Sequence, residues 1–171
     1  MASYTDSVIG MRVWQAAKVV QSGNVWVGIG RTTAWNDTDT PPTPNPNATQ
    51  IDGLVVLKKA EILSLVIPDP NGTIEHLGQK WSTVPLEDAR SRTARWVYVA
   101  TWLRYDEVPI VTFRQTGVFA DVVLGDGVPP GKLVLLPEEV ADLGFLLVLN
   151  NRSPINRAAD QKELLEFVVE F

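Results

Sequence analysis

The stretch Arg95-Trp96-Val97-Tyr98-Val99-Ala100-Thr101-Trp102-Leu103-Arg104, continued through Tyr105-Asp106-Glu107-Val108-Pro109 into residues 110–119, decides the fold class. Val97, Val99, Thr101 and Leu103 alternate with Trp96, Tyr98, Ala100 and Trp102, so both faces carry side chains suited to burial. β-Branched and aromatic residues at period two predict a central strand, with Trp96 and Trp102 in the core. The acidic, proline-bearing connection then predicts a hairpin to a second strand at 110–119.

Working outward, Val8, Ile9, Val13, Trp14, Ala16, Ala17 and Val20 recur at helical spacing, which predicts a helix over 5–20 capped by Thr5, Asp6 or Ser7. Gly23 stops it, and a strand follows at 25–29. Residues 36–51 are rich in Pro, Asn, Thr and Asp, donate few backbone hydrogen bonds and form a long loop, read equally as a flexible surface or a docking surface. Residues 54–67 read as a long or bent strand, and Asp69-Pro70-Asn71-Gly72 as a hairpin turn to a short strand at 73–76. Pro85 opens a helical turn or two over 84–90.

On the C-terminal side, strands are expected at 132–136 and 145–150, with a short helix over 137–143 between them. Residues 150–160 read as a polar arm. In the last segment Leu165, Phe167, Val169 and Phe171 alternate as in a strand, although Leu164, Leu165, Val168 and Val169 also satisfy a helix. The expectation is one α+β domain over 1–171, mainly antiparallel sheet or sandwich, with an N-terminal helix and long proline-rich loops.

Composition narrows the chemistry. A formal charge of −5 argues against nucleic acid or an anionic membrane as partner, since both need clustered Lys and Arg. The absence of cysteine removes disulfides, thiolate catalysis and Cys-ligated metals, and His76 is the single histidine. No secretory signal and no apolar run of about 18 residues is present, so synthesis in the cytoplasm is expected.

Gly28-Ile29-Gly30 lacks the third glycine of a dinucleotide fingerprint, and no phosphate-binding Gly-Lys-Ser/Thr loop occurs. The glycines therefore read as a turn or bulge. Asp37 and Asp39 are spaced like a metal-sharing pair, but the prolines after them break a calcium-loop pattern, so solvation explains them better. Glu87 with Asp88, or Asp106 with Glu107, would suit glycoside hydrolysis if correctly separated, whereas adjacent acids at turns are usually solvated. No catalytic residue, metal ligand or cofactor is assigned. Of the six tryptophans, Trp26 and Trp35 are kept as interface candidates, because indole rings give large contact area at small entropy cost.

Two separated regions then point the same way. Residues 27–37, from Val27-Gly28-Ile29-Gly30 to Trp35-Asn36-Asp37, precede Pro41, Pro42 and Pro44. Phe113-Arg114-Gln115-Thr116-Gly117-Val118 and residues 151–163, opening Asn151-Arg152-Ser153-Pro154-Ile155-Asn156-Arg157, make the second region. Together they resemble the baseplate wedge protein family of T4-type contractile-tailed phages. The resemblance implies a β-rich structural subunit of the virion tail, made in the host bacterium, without enzymatic activity and contacting other tail or baseplate proteins, with a homodimer among its assemblies. Trp26, Arg31, Trp35, Asp37, Arg114, Arg152 and Arg157 are the interface candidates, the arginines because a guanidinium pairs bidentately with a carboxylate. A carbohydrate- or receptor-binding virion module is the alternative, and a small hydrolase using acidic residues a distant one.

Overall fold

A computed structural model describes residues 2–171. In chain order it contains α1 (Ile9–Ser22), β1 (Val25–Gly30), β2 (Val56–Lys59), β3 (Ile62–Pro68), β4 (Ile74–His76), β5 (Gln79–Val84), β6 (Trp96–Leu103) and β7 (Thr112–Ala120). Then come β8 (Val123–Leu124), β9 (Val134–Leu135), β10 (Val140–Asp142), β11 (Phe145–Asn156) and β12 (Glu163–Glu170). Short 3-10 turns occupy Leu86–Asp88 and Pro137–Glu139. The expected class, mainly antiparallel sheet with one N-terminal helix, is what forms. The chain divides into two compact units, one built from residues up to 23, 62–99 and 166–171, the other from 24–61 and 100–165.

In the first unit α1 packs on β3 through buried Val13 and Ala16, and Gly23 closes the helix in the left-handed conformation at φ 62. The helix starts at Ile9, later than its periodicity suggests, with Val8 in the cap position and no side-chain cap. The Asp6 carboxylate instead accepts from the Ser7 amide just ahead of it. The sheet runs β12-β6-β3-β5-β4. Its tight hairpin joins β4 to β5 through Leu77 and Gly78, both at positive φ, and does not use Asn71-Gly72. The reason is local: Asp69 turns the chain itself, its carboxylate accepting from Asn71 N and its carbonyl from Gly72 N. β3 therefore pairs with β5.

In the second unit the sheet runs β11-β7-β1-β2-β9, and β8 pairs with β10 in a two-stranded ribbon. β1 is buried along its whole length, and Trp26, Ile51, Leu57, Phe119, Val122 and Leu135 form a core cluster. Gly28 stands opposite Gly117 on β7. A Cβ at Gly28 would lie 2.9 Å from both Ile51 Cδ1 and Phe119 Cε2, and one at Gly117 3.2 Å from the same Ile51 atom. The facing glycines thus make a slot that the Ile51 side chain fills, which is the physical role of the Gly28-Ile29-Gly30 motif.

Several expectations change in the details. β6 and β7 do not form a hairpin, because β6 lies between β12 and β3 while β7 lies between β11 and β1. The connection is too long to impose a register, and the complementary shape of Gly28 and Gly117 selects β1 as partner for β7. The apolar run 54–67 breaks at Ala60, whose amide bonds Val25 O, so β2 and β3 enter different sheets. The polar arm is not an arm: β11 continues through Asn156, with a register shift between Asn151 and Ile155 that accommodates Pro154. The short helix at 137–143 shrinks to one 3-10 turn before β10. Trp102 is 40% exposed and so is not core, and Trp96 is half-buried. The last segment is a strand, burying Leu165, Phe167 and Val169.

Candidate functional site

The loop after β1 is clamped onto its own sheet. Arg31 takes a left-handed backbone at φ 52, disfavoured for a residue with a side chain, and is held there by its amide on Asp52 O at 2.6 Å and its guanidinium on the Asp52 carboxylate. The same guanidinium lies over the Trp35 ring, 4.1 Å from its centroid, and donates to Ala34 O. Trp35 Nε1 donates at 3.0 Å to the carbonyl of Arg152, inside the β11 bulge. Asn36 caps the following turn, its side-chain oxygen accepting from Thr38 N and Thr40 N.

Arg114, on β7, is the centre of the clamp. Its Nε and Nη2 donate to the Asp39 carboxylate at 2.7 Å each, and Nη1 donates to Thr32 O at 2.8 Å. The guanidinium bound to Asp39 holds that carboxyl below its ordinary value, with the Trp35 amide helping and burial opposing. A second chain of bonds runs beside it. Asp52 N donates to Gln115 Oε1, Gln115 Nε2 to Asn151 Oδ1, and Asn151 Nδ2 to Pro42 O. Between these two networks, and with Ile51 in its glycine slot, the proline-bearing loop is fixed at both ends and in the middle.

The seven candidates separate accordingly. Trp26 is 3% exposed and its Nε1 donates to Asn24 Oδ1, which puts it in the core and away from any surface. Arg157 is also buried, donating to the carbonyls of Leu103 and Arg104, where burial lowers its pKa and Glu163 opposes. Arg114 is buried in the clamp. Arg31, Trp35 and Arg152 are half-buried around it, and Asp37 is exposed. Burial also lowers the Arg152 pKa, and its Nε has no partner. Gln115, Asn151, Asn36 and Ile51 escaped notice as working residues. Asn36, Gln115 and Asn151 did fall inside the stretches that carried the family resemblance.

Of the acids considered for hydrolysis, Glu107 is otherwise engaged. Glu107 pairs with Lys58, whose side chain is almost fully buried, and lies 3.5 Å from Arg104, which also grips Glu61. The Lys58 hydrogen bond holds Glu107 below the ordinary carboxylate range, the opposite of what a general acid requires. Asp39 belongs to Arg114. Among the described residues no group of three or more His, Asp or Glu is placed to hold a metal ion, and no helix is long and apolar enough to cross a membrane.

The arrangement is a β scaffold whose charged side chains fasten a long loop. The chain belongs to the family described as "Baseplate wedge 3 tail fiber network component", which matches it over residues 1–171. It is similar to "Virion protein 3" of Enterococcus phage phiEF24C, 33% identical over 143 residues that cover 80% of this chain and 78% of that protein. The protein is thus a structural tail protein of a phage virion.

Proposed function

We propose that the protein is a non-catalytic wedge subunit of a contractile-tail baseplate, making subunit contacts through the clamped loop during virion assembly. The observation that supports this most is the clamp. A loop ordered in advance by Arg114, Asp39 and Asn151 presents Asp37, the Trp35 edge and Arg152 without the entropy cost of ordering on contact. Neighbouring tail proteins are the partners, and a second copy of the chain is an assembly the same surface accommodates. Deleting the gene and imaging the resulting particles tests the reading. It expects baseplates without a complete fibre network, restored by the wild-type gene, whereas complete baseplates without the protein would refute it.

A glycan-binding role is the second reading, favoured by one pocket. In the first unit His76, Gln79, Trp81, Trp96 and Glu170 line a cleft of about 240 Å³, and Trp81 Nε1 is buried without a hydrogen-bond partner. Saturable binding of the purified protein to host cell-wall glycan, lost on Trp96→Ala, would support this role.

A further inference from the structure

The cleft on the sheet of the first unit is built from side chains that narrow its ligand further. Strand alternation puts Gln79 and Trp81 on one face of β5, and Val168 and Glu170 on one face of β12. With Trp96 of β6 they set two indole rings, centroids 5.9 Å apart, beside an amide and a carboxylate. Arg95 holds that end in place. Its guanidinium lies 4.5 Å from the Trp96 ring centroid, and its Nη2 is 2.9 Å from Glu170 Oε1, so Glu170 Oε2 stays free for another donor.

Several polar groups of the lining are unmet by the fold. His76 and Gln79 make no side-chain hydrogen bond among the described residues. Trp81 is 7% exposed, and its buried Nε1 has no acceptor within the chain. A buried donor left unpaired is costly, which points to an acceptor supplied from outside.

Leu77 adds an apolar requirement. It sits at the tip of the β4–β5 hairpin at φ 50, where Asn or Gly is favoured, and is 92% exposed. Nothing in its own chain calls for leucine there, whereas an apolar group on a ligand in the cleft that it lines does.

The ligand class follows from charge and from hydrogen-bonding capacity. The lining contains Glu170 and neither Lys nor Arg, so phosphate and carboxylate groups are repelled. An indole face beside both donors and acceptors suits a sugar ring, which stacks through its C–H face and whose hydroxyls donate and accept. A proline-rich peptide would stack as well, but its imide nitrogens offer Glu170 no donor. The volume of about 240 Å³ is below that of clefts holding drug-sized ligands and admits a single ring.

We propose that this cleft binds one ring of an uncharged N-acetylated glycan. The ring stacks on Trp96, its hydroxyls meet Gln79 and Glu170, an oxygen of the ligand accepts from Trp81 Nε1, and the acetamido methyl meets Leu77. The inference rests on the glycan-binding reading above and names the sugar that it takes.

Titration of the full chain with chitotriose, followed through the tryptophan indole N–H resonances, tests it. The expected result is saturable shifts at Trp81 and Trp96 with the other four indoles unmoved. Cellotriose, which lacks acetamido groups, should bind about fivefold more weakly, the effect of one lost methyl contact. Leu77→Asn should weaken chitotriose binding by a similar factor while the melting temperature holds or rises, a combination that a purely structural leucine would not give. Equal binding of the two sugars would overturn the proposal, as would shifts at Trp81 and Trp96 with a glycerol phosphate polymer or a polyproline peptide but none with chitotriose. Host cell-wall glycan that binds and is lost on Trp96→Ala, with chitotriose inert, would overturn the sugar class and leave the glycan-binding reading standing. No binding of wall glycan or chitotriose at all would remove both.

Discussion

Residues 31–52 and helix α1 invert what their composition suggests. The loop is polar, proline-rich and devoid of regular structure, yet it is fastened by Ile51, Arg114, Gln115 and Asn151. The helix has a clear apolar periodicity, yet much of its apolar surface faces out, with Trp14 and Met11 exposed. Order in the loop comes from a few long-range side chains. Stability of the helix comes from the narrow stripe at Val13 and Ala16, leaving the remaining apolar residues free for contact.

The contrast can be broken most forcefully at Ile51. Replacing it with alanine empties the glycine slot and is expected to cost about 2–5 kcal/mol in urea unfolding, because a buried aliphatic side chain is lost and a cavity remains. Gly28→Ala attacks the same slot from the other side. Its added methyl group would press on Ile51 and Phe119 and cost about 1–3 kcal/mol, read in the same assay.

Arg114→Ala should act locally. Hydrogen exchange at the Trp35 and Asp39 amides should accelerate about tenfold or more, while exchange in β1 remains slow. Acid should release the clamp in the same way. Asp39 is held below its ordinary value of 3.8, so its contribution is complete above about pH 4 and is lost as the pH falls through the depressed folded-state value. The Trp35 indole N–H resonance should therefore hold its position from pH 7 to about pH 4 and shift only below that. The smallest effect on folding belongs to the helix: Trp14→Glu should change stability by no more than about 0.5 kcal/mol, since the ring is already solvated. A large loss there would place Trp14 in the core and erase the contrast.

Period-two alternation made β6 and β12 legible, the acidic, proline-bearing connection after β6 announced β7, and Gly23 announced the end of α1, because these signals are local. Partnership between strands was not legible. The neighbours of β7 follow from Gly28 facing Gly117, a match that no window of sequence contains. Arg114 was recognisable as a residue built for a carboxylate, but its partner Asp39 is 75 residues away in the same chain, so a bond expected across subunits proved internal. Trp26 carried the same ambiguity: an indole suits an interface or a core equally well, and its burial beside Phe119 follows only from the sheet order. Asp37 is exposed and Arg152 is half-buried beside the clamp, its Nε without a partner.

Cryo-electron microscopy of the intact baseplate tests the central claim most directly. The account predicts density for this chain within the wedge, with residues 31–52 already in the clamped conformation and in contact with a neighbouring subunit. Baseplates complete without the chain, or a loop refolded away from Arg114 to reach its neighbour, would contradict it.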